Sequence, residues 1–267
     1  KLTEDGEDNT FIGFSAGYNT QNASYNTFIG SNVGIRNTSG VNNTYVGRNA
    51  GFDNTDGNYN TIVGESSGYK LAGGDDNVMV GQGSGFNTTS GNRNTFIGGG
   101  SSSNVGAGYS NTTGNDNTYI GYQSGKAGII AKENVFVGKQ AGYSNTSSNN
   151  VFIGHTAGYT NTSGTDNVFI GNSAAYTNND GHDNVIMGNQ SGYKMTSGKA
   201  NILLGSQAGY NITEGERNIA LGSVTTNSGS DSAGYSLTTG DDNIMIGSQS
   251  GKKLNTALRN VFIGSNS

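Results

Sequence analysis

The 267-residue sequence predicts an all-β chain, a β-solenoid (β-roll) of about fifteen 17-residue rungs. Three observations carry this. A phrase of Asn, three apolar or Thr residues and Gly returns at a fixed interval; its middle residues are strand formers; and both long interruptions fall at one corner of the repeat. The leading Asn stands at Asn9, Asn26, Asn43, Asn60, Asn77, Asn94, Asn117, Asn134, Asn150, Asn167, Asn184, Asn201, Asn218, Asn243 and Asn260. The step is 17 residues, except 23 after Asn94, 16 after Asn134 and 25 after Asn218, and the Gly four residues on is present in every copy.

With Asn as position one, position two is Thr in the first four copies and Val or Ile in most later ones. Position three is bulky (Phe11, Phe28, Tyr45, Phe96, Tyr119, Phe136, Phe152, Phe169, Phe262), with Ala220 the exception, and position four is β-branched save at Met187, Leu204 and Leu221. These three residues predict a short strand, which the Gly at position five ends. Position eight is small except at Val33, position nine is Gly except at Ala175, and position ten is usually Tyr or Phe. A second turn with Asn-Thr and a third Gly follows, as in Asn37-Thr38-Ser39-Gly40. Each rung therefore reads as a short strand, a turn, a second extended stretch and another turn, with no helix. The extra residues after Gly98 and Gly222 precede Ala107-Gly108 and Ala233-Gly234, where the pattern resumes. Residues 1–267 read as one array with insertion loops at 98–108 and 222–234, and fifteen rungs spaced ~4.8 Å would make a rod of roughly 70 Å.

Composition sharpens this reading. Leu, Ile, Val and Phe make up about 18% of the chain, near the disordered range, but they are strictly phased and the net charge is only −5. Fourteen Lys and Arg without a cluster argue against nucleic acid as a partner. No apolar run approaches the roughly 20 residues of a membrane span, and the absence of Cys assigns no compartment.

Alternation places positions two and four on one face of the strand and position three on the other, and both faces are apolar. One row is expected to fill the thin core against the small residues at position eight. The other, mostly Phe, Tyr, Ile and Met, is expected to form an apolar stripe, covered by the opposite wall of the coil or by copies of the chain. Stacked Asn side chains pair amides along the array, and Asn and Gly suit left-handed corners. Lys1–Asp8 reads as the tail of a preceding repeat and Ser265–Ser267 as the start of another, a window of a longer fibre.

Asn-x-x-Ile-Gly followed by Ala-Gly, with Asn-Thr and Gly at the second turn, resembles the left-handed β-roll head repeats of trimeric autotransporter adhesins and related bacterial and phage fibre repeats. The resemblance spans essentially the whole chain. It implies a parallel homotrimeric rod on a cell surface or virion, hence an extracellular, non-enzymatic structural or adhesive segment whose partners are itself and a host-surface or matrix glycan or protein. It carries over no catalytic residue and no cofactor. Two other functions fit the same rungs: a phage or virus tail-fibre shaft recognising host glycans, and an ice-binding solenoid using Thr columns at position two or thirteen. A carbohydrate-cleaving β-helix would need convergent carboxylates.

Candidate site residues are few. Acidic residues recur before the leading Asn (Asp8, Asp76, Asp116, Glu133, Asp166, Asp183, Asp242), in a column shared with Arg93, Arg217 and Arg259. The corners at Asp75, Asp76 and Asp241, Asp242 are the calcium candidates, without the pattern of calcium-binding nonapeptides. His155 and His182 occupy different rung positions. Sequons at Asn22, Asn37, Asn42, Asn87, Asn111, Asn145, Asn161, Asn189 and Asn211 offer glycan sites in a suitable host. The Tyr column at position ten reads either as a stacked ladder or as a platform for sugars.

Overall fold

The computed structural model describes residues 6–100, 105–223 and 231–267. Contacts gather the chain into two compact units, residues 1–134 and 135–267, built from the same rung. The first holds β1 (Thr10–Ile12), β2 (Thr27–Ile29), β3 (Thr44–Val46), β4 (Thr61–Val63), β5 (Val78–Val80), β6 (Thr95–Ile97) and β7 (Thr118–Ile120). The second holds β8 (Val135–Val137), β9 (Val151–Ile153), β10 (Val168–Ile170), β11 (Val185–Met187), β12 (Ile202–Leu204), β13 (Ile219–Leu221), β14 (Ile244–Ile246) and β15 (Val261–Ile263). Within each unit every strand pairs in parallel with the next, equivalent positions facing each other, as Thr10 faces Thr27 and Val168 faces Val185. The chain is thus an all-β solenoid, and among the described residues no helix is long and apolar enough to cross a membrane.

Only one stretch of each rung is a strand. The expected second extended wall is instead a run of turns, and its backbone N–H groups still reach the next rung, as Gly17 N to Val33 O at 3.0 Å and Asn19 N to Ile35 O at 3.1 Å. Strand-like pairing of this kind leaves few backbone groups unsatisfied, although turn residues such as Tyr25 and Arg93 adopt left-handed φ values of 60° and 54°. The leading Asn residues are absent from the left-handed positions, which fall at positions five, seven, nine and seventeen. Their recurrence therefore has another cause, given below.

Both insertions keep the register. Thr95 still faces Thr118 and Ile219 faces Ile244. Ala107 N donates to Gly98 O at 2.9 Å, the closure that Ala16 N makes to Gly13 O at 3.4 Å in an uninterrupted rung. The insertion loops 98–108 and 222–234 have their tips, 101–104 and 224–230, outside the described residues.

The core reverses the expected assignment of faces. Position three points inward and is fully buried at Phe28, Tyr45, Ile62, Met79, Phe96, Tyr119, Phe136, Phe152 and Phe169, whereas positions two and four face outward. The aromatic stripe is thus covered by its own coil. Its rings lie one above another, Phe28 against Tyr45 at 4.8 Å and Phe152 against Phe169 at 4.7 Å, with planes 9° and 5° apart. Space for a ring comes from position nine: a Cβ on Gly51 would lie 2.5 Å from the Tyr45 ring, and its φ of 54° suits glycine.

Tyr45 fits this ladder imperfectly. Its hydroxyl is buried with only a poorly aligned contact to the Asn60 amide, and burial pushes the phenol well above its usual range, while the equivalent Tyr119 hydroxyl donates to Asn117 Oδ1 at 3.1 Å. Removing a buried hydroxyl whose one amide contact is poorly aligned relieves a desolvation cost, so Tyr45→Phe is expected to stabilise the chain by about 1 kcal/mol in urea unfolding. A loss of stability would show that the hydroxyl is satisfied.

Candidate interaction surface

Two internal amide ladders hold the rungs at a fixed pitch and so define the outer surface. In the first unit, Asn9 Oδ1 accepts from the backbone N of Asn26 at 3.0 Å and from its Nδ2 at 3.2 Å, and Asn26 Nδ2 also reaches Gly40 O at 2.8 Å. The pattern repeats to Asn134. In the second unit it runs from Asn150 to Asn260. Asn is required because the side chain must accept two N–H groups on one side and donate on the other. A second ladder at position twelve, where the sequence predicts turn residues, links Asn54 Nδ2 to Asn37 Oδ1 at 2.9 Å and Asn178 Nδ2 to Asn161 Oδ1 at 2.6 Å. Four sequon asparagines, Asn37, Asn111, Asn145 and Asn161, sit in this buried column, so their amides are closed to a glycan in the folded chain. Asn22, Asn42 and Asn189 are exposed.

The strand wall is the most regular outer surface. In the second unit the eight strands β8–β15 present positions two and four, all Val, Ile, Leu or Met, with no polar residue among them. Ile153, Met187 and Ile202 remain 38%, 40% and 39% exposed. In the first unit position two carries hydroxyls instead, Thr at six of seven strands.

A half-buried aromatic column runs along another side at position ten. Tyr143, Tyr159, Tyr176, Tyr193, Tyr210 and Tyr235 stack at 4.9–5.3 Å in the second unit, and Phe52, Tyr69, Phe86 and Tyr109 at 4.9–5.6 Å in the first. Each ring face meets the next ring, leaving edges outward, which favours the ladder over a sugar platform. Partial burial, then the neighbouring phenols Tyr193 and Tyr235, push the Tyr210 hydroxyl above its usual range.

Charged side chains are engaged between rungs. Asp75 Oδ1 accepts from Asn58 N at 2.8 Å and Nδ2 at 3.1 Å, and Asp241 Oδ1 from Glu216 N at 2.8 Å. Asp242 receives Arg217 Nε at 2.6 Å, and that hydrogen bond holds its carboxyl below the usual range. Arg93 and Asp116 pair in the same way at 2.7 Å, the mixed column expected from the sequence. Asp76 stands exposed beside them. Among the described residues no three acidic, His or Cys side chains come together as a ligand group, against the six to eight oxygens calcium takes. His182 meets Asp183 at 2.8 Å and His155 meets Asn172 at 3.4 Å; the two histidines stand at positions sixteen and six of adjacent rungs.

Comparison with protein-family models, curated proteins and solved structures gives no match.

Proposed function

We propose that this chain is a non-enzymatic, extracellular segment of an adhesive fibre, in which three parallel copies pack with the aliphatic wall of residues 135–267 turned inward. The observation that carries the reading is that wall: sixteen outward Val, Ile, Leu and Met side chains on eight strands without one hydroxyl or charge. Soluble monomers rarely leave a contiguous apolar face larger than a few hundred Å², and strands buried on both faces read as such apolar runs. A copy of the same wall is a partner of matching shape, repeat and chemistry, and a closed arrangement covers the aliphatic wall of residues 135–267 in all three copies. The number three follows the likeness to adhesin heads. A structural role is further supported by the commitment of amides and carboxylates to contacts between rungs, which leaves stiffness as what the rung chemistry supplies.

The test is absolute mass by light scattering behind size exclusion. The expected mass is three times the 27.4 kDa of one chain. Val185→Lys places a charge at the middle of the wall and is expected to return a folded single chain. A wild-type protein of single-chain mass would overturn the trimer.

A further inference from the structure

We propose that the strand wall of residues 1–134 is an ice-binding face. The two units differ at position two. Where the second carries only aliphatic side chains, the first presents Thr10, Thr27, Thr44, Thr61, Thr95 and Thr118, with Val78 of nearly the same shape closing the row. All six threonines are exposed or half-exposed.

Their hydroxyls are also uncommitted. Among the described residues none of the six hydroxyls donates to or accepts from a protein group, although their backbone N–H groups are paired, as Thr61 N to Asn77 O at 2.8 Å. The contrast is with the position-thirteen threonines, whose hydroxyls go to the next rung: Thr38 Oγ1 to Thr55 O at 2.9 Å and Thr112 Oγ1 to Ile129 O at 3.0 Å. Burying such a row against a dry apolar partner would leave each hydroxyl desolvated without a partner, so this wall suits a hydrated occupant.

Geometry narrows the occupant to an ordered one. The strands are short, parallel and in register, the rung pitch is about 4.8 Å, and Thr and the aliphatic residue two positions on stand about 6.7 Å apart. These repeats are comparable to those of hexagonal ice. Thr is β-branched and stiff at χ1, so a row of them holds hydroxyls and methyls at repeated positions with little entropy left to lose. The adjacent row, Ile12, Ile29, Val46, Val63, Val80 and Ile97, is aliphatic, and neither row contains a charge that would hold its own disordered hydration shell.

The experiment uses the full 267-residue chain. Its partition into a slowly growing ice front and its freezing-point hysteresis are measured beside Thr61→Lys, on the wall, and Thr38→Lys, on the position-thirteen column. The expected result is incorporation and hysteresis for the wild type and Thr38→Lys, and loss of both for Thr61→Lys at an unchanged unfolding midpoint. Exclusion of the folded wild type from ice would overturn the inference, as would incorporation of Thr61→Lys at the wild-type level. A Thr61→Lys chain whose mass falls would assign this wall to a contact between copies and overturn it too. Mass of Val185→Lys, read separately, reports on the trimer alone.

Discussion

Asn184→Asp is expected to destabilise the chain by about 3 kcal/mol or more, although the two side chains are nearly isosteric. Asn184 Oδ1 accepts from Asn201 N at 3.0 Å and Nδ2 at 3.1 Å, which a carboxylate would also accept. Its Nδ2, however, donates to Gly198 O at 2.8 Å, His182 O at 3.0 Å and Asn167 Oδ1 at 3.1 Å. Aspartate turns these three contacts into oxygen against oxygen at a fully buried position. The burial penalises the charged form, so the folded-state pKa of the new carboxyl is raised above its unfolded value. Protonation is then favoured in the folded state, and the lost stability returns in part as pH falls toward the carboxylate range. The reading is the urea midpoint of Asn184→Asp against wild type at neutral and acidic pH. A loss under about 1 kcal/mol, or one that grows on acidification, would show that the ladder does not couple the rungs as described.

Gly158→Val is expected to cost about 4 kcal/mol, combining a β-branched residue in the left-handed region with overpacking of the core. Gly158 has φ of 58°, and a Cβ there would lie 2.5 Å from Cε2 of Phe152. That ring has nowhere to retreat, because Phe136 and Phe169 stack on its two faces at 4.8 and 4.7 Å. Gly158→Ala should cost about half as much, since Ala175 occupies the same rung position at φ of 47° and shows that the fold accepts one methyl there. Thermal or urea unfolding of the two variants gives the order. Equal losses would mean that backbone conformation alone, and not the ring, sets the demand for glycine.

How much of this was legible in the sequence differs between levels. Period, strand positions and the corner that takes insertions follow from spacing alone: Ala107-Gly108 and Ala233-Gly234 resume the phrase, and the strands on either side pair in register. The amide ladder was legible too, because an Asn repeated once per rung can meet only its own copies. The facing of the strand was not. Alternation separates position three from positions two and four but does not say which side is inside, and Phe, Val, Ile and Thr are strand formers on either. The deciding quantity is the gap opposite the strand, and that gap exists only once Gly51 and Gly158 have been folded over the rings of Tyr45 and Phe152.

The same reason separates the surface readings. Thr38 and Thr61 are the same residue type in equally regular columns, yet one hydroxyl is spent on Thr55 O and the other stands free on the wall. Likewise Asn37 and Asn22 head equal sequons, and only the folded rung buries the first and exposes the second. That this protein is a stacked repeat with an Asn spine follows from the order of its residues, because each rung must match the edge of its neighbour. Which side chains fill the core and which form the outer walls was decided by tertiary structure, because facing depends on the space the turns leave, and no local pattern encodes that space.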